Sequence, residues 1–203
     1  MRSISSFNSS WAAAVSAAVF SLCGLAGSAA AADIEAGRAK AQLCVACHGP
    51  GGNSAMLEIP ALAGMPAQSF ATTLYQFREG NRKNSTMSPF AANLSNGDMN
   101  NLAAYFASEK RAPAGHQTKP KNVEAGPRLA KQFNCTQCHG PALLGVQHIP
   151  RLAGQQHDYL LAQLRGFKAA TRFDMDGNMT SAASALKDED IVRLADYIAG
   201  LGQ

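Results

Sequence analysis

Two short patterns in this 203-residue chain set thiols beside imidazole: Cys44-Val-Ala-Cys47-His48 and Cys135-Thr-Gln-Cys138-His139. Two thiols at this spacing can each add to one vinyl group of a haem, and the histidine that follows lies on the same side and can bind the iron. The pattern is therefore the attachment signal of a c-type haem. One copy can arise by chance; two copies at the same place in a repeated sequence are strong evidence. Without Cys23 near the start, the five cysteines reduce to an even four, which in an exported chain ordinarily suggests disulfides, but the histidine after each pair changes that reading. A redox Cys-x-x-Cys disulfide would need a βαβ pattern, which is absent. A zinc site would need a fourth ligand and more widely separated histidines. The expected cofactors are thus two covalently bound haem c groups, held by Cys44 and Cys47 with His48, and by Cys135 and Cys138 with His139.

The opposite face of each iron decides between electron transfer and catalysis, because an open sixth position can bind small ligands and a closed one favours outer-sphere transfer. A thioether opposite the histidine raises the potential. The first copy offers Met56, Met65, Met87 and Met99; the second offers Met175 and Met179. Met99 belongs to the periodic apolar face of a helix. Met56 and Met65 have no methionine counterpart. Met87 does: it precedes the last helix of its copy, in Asn84-Ser-Thr-Met87-Ser-Pro89, and Met179 repeats it at the same offset. Met87 and Met179 are the expected axial ligands. His116, His148 and His157 are unmatched in the first copy and read as ordinary surface histidines. A metal-bound histidine usually gives its other ring nitrogen to a fixed acceptor. Pro60 and Pro150, which recur shortly after the two motifs, offer carbonyls for that bond.

The residues that must position this chemistry are also written twice. Cys44–Pro50 returns as Cys135–Pro141, Ile59-Pro60-Ala-Leu62-Ala-Gly64 as Ile149-Pro150-Arg-Leu152-Ala-Gly154, and Phe77-Arg78 as Phe167-Lys168. Leu94, Asp98 and Tyr105 match Leu186, Asp190 and Tyr197, all at the Met87–Met179 offset. Such a period marks duplication of one module rather than a short-repeat solenoid. A Pro- and Gly-containing polar stretch, 113–121, links domains spanning 33–112 and 122–203. Each domain reads as all-α. Helices are expected over 33–43, 68–80 and 96–110, then 159–167 and 188–201. Ser95 with Asp98 resembles a capping pair, Asp188 is the expected cap of the last helix, and Gly200 and Gly202 end it. Small all-α units rarely bury enough apolar surface alone and usually need a staple or a cofactor. Few aromatics remain once Trp11 is removed, and a large apolar cofactor would fill that deficit.

Residues 1–32 read as a secretory signal: Arg2, an apolar stretch from Trp11 to Leu25 broken by Ser and Gly, and Ala30-Ala31-Ala32 as a small-residue cleavage site. The stretch is too short and interrupted for a membrane span. Cys23 leaves with it, since Leu22 before it is not the small residue a lipoprotein site needs. Removal takes only Arg2 from the 18 basic residues and none of the 14 acidic ones, leaving a net charge of +3. That balance is mild and no Lys/Arg run stands out, which gives no support for nucleic-acid binding. The expected location is the periplasm.

The tandem set resembles the diheme cytochrome c4 family. The resemblance covers nearly the whole chain after the signal, through Ile59-Pro-Ala-Leu-Ala-Gly64, Met87-Ser-Pro-Phe-Ala-Ala-Asn-Leu94, Asp98-Met-Asn-Asn-Leu-Ala-Ala-Tyr-Phe106, Ile149-Pro-Arg-Leu-Ala-Gly-Gln155 and Leu194-Ala-Asp-Tyr-Ile-Ala-Gly-Leu201. It implies two tandem class I cytochrome c domains related by a pseudo-twofold axis. It implies one haem on Cys44, Cys47, His48 and Met87 and another on Cys135, Cys138, His139 and Met179. It also implies a close crossing of the first and last helices of each domain, which Gly37 with Tyr105 and Gly126 with Tyr197 would suit. Further implied is electron delivery towards a terminal haem–copper oxidase, sometimes from the membrane surface. The copies depart from one another after Gly64, where Met65-Pro66 stands in place of Gln155-Gln156.

A carrier would make small, transient contacts with redox protein partners. A diheme enzyme such as a peroxidase would need one open haem with acid–base groups nearby, and two symmetric methionines argue against it. A fixed electron-transfer subunit of a dehydrogenase would use the same haem chemistry as a carrier.

Overall fold

The computed structural model describes residues 31–202. The expected export signal at 1–32, with Trp11 and Cys23, lies outside the described residues apart from its last two positions. The first copy contains α1 (Ile34–Ala41), α2 (Val45–His48), α3 (Ala67–Arg78), α4 (Met87–Ala92) and α5 (Asn96–Ser108). The second contains α6 (Pro120–Gln132), α7 (Cys135–His139), α8 (His157–Lys168), α9 (Asn178–Ser184) and α10 (Asp188–Gly200). Among the described residues there is no strand, only one isolated bridge between Val146 and Ile149. No described helix is long and apolar enough to cross a membrane.

Local chemistry starts these helices. Asp33 caps α1 by accepting from the amides of Glu35 and Ala36 at 2.9 and 3.1 Å. Glu35 in the first turn and Arg38 and Lys40 in the last complement the helix dipole. α5 opens with the expected reciprocal cap: the Asp98 amide donates to Ser95 Oγ, and the Ser95 amide donates to the Asp98 carboxylate. α10 differs from expectation, because Lys187 rather than Asp188 is its cap residue and Gly200 is still helical. Asp188 faces Lys168 Nζ at 3.4 Å instead of folding back on the helix. Three acidic residues in the first turn of α10 then meet its dipole without a side-chain cap. α6 begins at Pro120, inside the stretch that reads as connecting chain, because a proline at the first helical position needs no amide partner. α4, α6 and α9 were not expected from periodicity; Met87, read as lying ahead of the last helix of its copy, is the first residue of α4.

Each copy closes on its own core. In the first, α5 packs on α1 and α3 around Phe70, Leu74, Leu102 and Phe106. In the second, α10 packs on α6 and α8 around Leu129, Leu160, Phe167, Ile191 and Leu194. Burying each large aliphatic side chain contributes about 1.5–3 kcal/mol. The terminal helices of each copy approach so closely that only glycine fits at the contact. A Cβ on Gly37 would run into the Asn101 carbonyl and touch Tyr105, and one on Gly126 would overlap the Tyr197 ring.

Candidate functional site

The two Cys-x-x-Cys-His segments are single helical turns. Cys44 is the cap residue of α2, and α7 runs from Cys135 to His139. Residues three and four apart lie on one helical face, so both thiols and the imidazole of each motif point to the same side. All four cysteines are free; Cys47 and Cys138 are exposed, while Cys44 and Cys135 are half-buried. Burial pushes both half-buried thiols above their ordinary value, assisted at Cys44 by the neighbouring Cys47.

His48 and His139 are 7% and 4% exposed. Their Nδ1 atoms lie 2.8 Å from the carbonyls of Pro60 and Pro150, the acceptors expected from the sequence. A carbonyl can only accept, so the proton sits on Nδ1 and the lone pair on Nε2. Burial lowers both imidazoles below the ordinary histidine value, despite the opposing effect of the proline carbonyls, and favours the neutral form that a metal requires. The loop carrying each proline is built alike. The amides of Leu62 and Ala63 both bond the Gly52 carbonyl, and those of Leu152 and Ala153 both bond that of Leu143. The Gly64 and Gly154 amides then bond Phe106 and Ile198, anchoring the loop to the last helix of each copy.

Met87 is half-buried on the same core cluster as Cys44, and Met179 on the same cluster as Cys135. Met99 is buried in α5, as its periodicity predicts, while Met56 and Met175 are 40% and 70% exposed. Met65 also packs on the first cluster. The backbones of both matched methionines are pinned by a residue upstream. Asn84 Oδ1 accepts from the Met87 amide at 2.8 Å, and Asp174 Oδ2 from the Met179 amide at 2.8 Å. Asn84 and Asp174 were missed by sequence reasoning; an Asn or Asp just ahead of a short helix is the signal that would find them. Each copy thus supplies two thiols, one imidazole with a directed lone pair and one packed thioether, which is a donor set that fits covalent haem.

Two of the three other histidines correct the expectation of surface residues. His148 is exposed, but His157 is buried and His116 is half-buried, because the connecting chain folds back on α8 and α10 and covers them. The two halves are joined by polar contacts that the repeat does not duplicate. Gln155 accepts from the Ala61 amide at 2.8 Å and donates to the Ala61 carbonyl at 2.9 Å. Gln156 Nε2 donates to the Ser54 carbonyl at 2.6 Å, and the Tyr159 amide to that of Leu57 at 2.9 Å. Arg82 donates to both Tyr159 Oη and Gln163.

The family model described as cytochrome c matches residues 123–202, and the one described as cytochrome c oxidase, cbb3-type, subunit III matches residues 30–106. Cytochrome c4 of Thiocapsa roseopersicina is 36% identical over 183 residues, which cover 84% of this chain and 94% of that protein. The thiosulfate dehydrogenase electron acceptor of Thiomonas intermedia is 35% identical, with 79% of each chain covered. The crystal structure of reduced recombinant cytochrome c4 from Pseudomonas stutzeri superposes with a TM-score of 0.78 at 31% identity, covering 84% of this chain and 100% of that one. With two matched domains, a shared helical architecture and relatives spanning nearly their full length, the chain belongs to the cytochrome c4 family, electron-transfer proteins of two tandem cytochrome c domains with two covalently bound haem c groups.

Proposed function

We propose that this protein is a periplasmic electron carrier whose two haems are closed to exogenous ligands. In this reading the first haem is attached through Cys44 and Cys47 and ligated by His48 and Met87. The second is attached through Cys135 and Cys138 and ligated by His139 and Met179. The domains are 33–112 and 122–203, joined by 113–121, and residues 1–32 are removed on export. The observation that carries the reading is the repeated histidine turn, in which Pro60 and Pro150 fix the tautomer and aim Nε2 away from the carbonyl. When bound, haem supplies a reversible one-electron change at iron. The chain's own residues would hold a histidine and a methionine as donors to each iron, and burial keeps the histidines neutral. Partners dock transiently, and a terminal haem–copper oxidase is the electron sink. A second reading, in which the protein takes electrons from a thiosulfate-oxidising dehydrogenase, is favoured by its likeness to the thiosulfate dehydrogenase electron acceptor.

The test is carbon monoxide binding to the reduced, haem-loaded protein, followed in the visible spectrum. The unaltered protein is expected to show no change. Met87→Ala and Met179→Ala should each open one haem, giving half of the signal expected for two. Carbon monoxide binding to the unaltered protein would overturn the closed-carrier reading and favour an enzyme; closed haems in both variants would overturn the methionine assignments. Rates of reduction by a thiosulfate dehydrogenase and of oxidation by a haem–copper oxidase then distinguish the two partner readings.

A further inference from the structure

One cluster of metal-ligating side chains uses none of the residues assigned to the haems. His116 comes from the segment between the copies, His157 from the start of α8 and Asp196 from the middle of α10. Their ligand-capable atoms all lie within 4.8 Å of one another. Asp196 is 1% exposed and His157 9%. Asn122 donates to Asp196 Oδ2 and so turns Oδ1 towards the rings. His116 Nε2 lies 2.5 Å from Oδ1.

His157 supplies the decisive observation. Its Nδ1 lies 2.7 Å from Asp158 Oδ1, and a carboxylate can only accept, so Nδ1 carries a proton. In the neutral ring Nε2 is then a lone pair. That atom is fully buried with no hydrogen-bond partner, and it faces Asp196 Oδ1 at 3.5 Å. A buried lone pair opposite a carboxylate oxygen is repulsive unless a cation lies between them. A proton on Nε2 is a poor answer, because 3.5 Å is long for a charge-assisted hydrogen bond. The His116 and His157 rings also stack at 3.8 Å and 8°, an arrangement that two imidazolium cations would resist.

We propose that His116, His157 and Asp196 bind a divalent transition cation of the zinc class, which clamps the connecting segment onto the C-terminal domain. Two imidazole nitrogens and one carboxylate oxygen are a borderline donor set suited to zinc, whereas calcium and magnesium take oxygen ligands. Asp158 is the outer carboxylate that orients a metal-bound histidine through its far nitrogen, and Asn122 orients Asp196. Water completes the coordination. His116 gives up the Nε2 proton it shares with Asp196, so affinity falls as pH drops. Binding requires the His116 ring to tilt as the ligand atoms spread to bonding positions.

The test uses haem-loaded protein, stripped of adventitious metal with a chelator and dialysed to equilibrium against zinc ions, with protein-bound metal measured directly. One zinc per chain is expected, together with a higher unfolding temperature; magnesium should give neither. His116→Gln and His157→Gln each remove a ligand and should weaken binding by more than the roughly 10–100-fold that loss of an outer partner costs, with unchanged haem absorption. His148→Gln, at an exposed histidine outside the cluster, should retain full stoichiometry. His116 sits at the less buried edge, so its variant keeps the test decisive even if the His157 variant folds poorly. No retained zinc, or zinc retained equally by His116→Gln, overturns the proposal.

Discussion

Asp98 carries several interactions on one carboxylate. It accepts from the Ser95 amide at 3.0 Å and the Ser95 hydroxyl at 2.8 Å, and it pairs with Lys40 Nζ at 2.6 Å. The Lys40 bond first, then those from Ser95, bring its pKa from 3.8 to about 2. A depressed folded-state value means that stability is fully present above the unfolded value and is lost as pH falls through the folded one. Asp98→Asn should therefore lower stability at neutral pH by about 1 kcal/mol, through a partly exposed ion pair and a weakened cap. It should also flatten the loss of stability between about pH 4 and pH 2. Unfolding measured across that range checks both, and an unchanged acid limb would show that Asp98 contributes nothing there. Residues such as Asp98 and Ser95 were legible because capping depends on a few neighbours in sequence. The histidine–proline pairing was legible for a related reason: each proline lies a dozen or so residues beyond its histidine, and the pair occurs twice. His116 and His157 were misread because their burial depends on where a connecting segment folds back, which no local pattern records.

At the scale of elements, five of the six long helices follow from apolar periodicity, with ends displaced by up to two residues; α6, which carries Gly126 and Pro127 within it, did not. α4 and α9 did not follow, because six or seven residues are too few to display a period or to be stable alone. They form because Asn84 and Asp174 hold their first amides and because they pack against α3 and α8. The glycines at the helix crossings make a sharper claim. Gly126 is a helical position where alanine would ordinarily be favoured by about 1 kcal/mol. The added methyl would instead enter the Tyr197 ring and force α6 away from α10. Gly126→Ala should destabilise the haem-loaded protein by about 1–3 kcal/mol, as overpacking does. Gly97 in the first turn of α5 has only Ser95 Oγ near its Cβ position, at 3.7 Å, and Gly97→Ala should be neutral or stabilising. Thermal unfolding of the two variants side by side separates the crossing from helix propensity; equal effects would show that α6 and α10 can shift apart at no cost.

The two copies fold to the same plan, and symmetry at the level of the whole molecule was readable from the shared offsets. The joint between them was not. After Gly64 the first copy has Met65-Pro66 and the second has Gln155-Gln156, a difference that in sequence looks like loop detail. In the structure, Met65 packs on its own core, whereas both glutamines reach across and bond the backbone of the other copy at Ala61 and Ser54. A duplicated module has no reason to keep identical loops once one of them becomes the contact. The loop bonded by Gln155 is also the one whose Pro60 carbonyl fixes His48, so the joint and the first histidine turn share a short piece of chain. Gln155→Ala would leave the buried amide and carbonyl of Ala61 without partners, at a cost of about 1–3 kcal/mol. The loss should fall on the coupling between halves more than on either core. Calorimetry of the haem-loaded protein should then show a broader unfolding transition, with the calorimetric enthalpy exceeding the van't Hoff value. Reversing the asymmetry offers the control, since Met65→Ala removes core contacts in one half and should shift that half without separating the two. If Gln155→Ala unfolds with the cooperativity of the unaltered chain, the joint is held instead by Gln156, Arg82 and the Tyr159–Leu57 backbone bond.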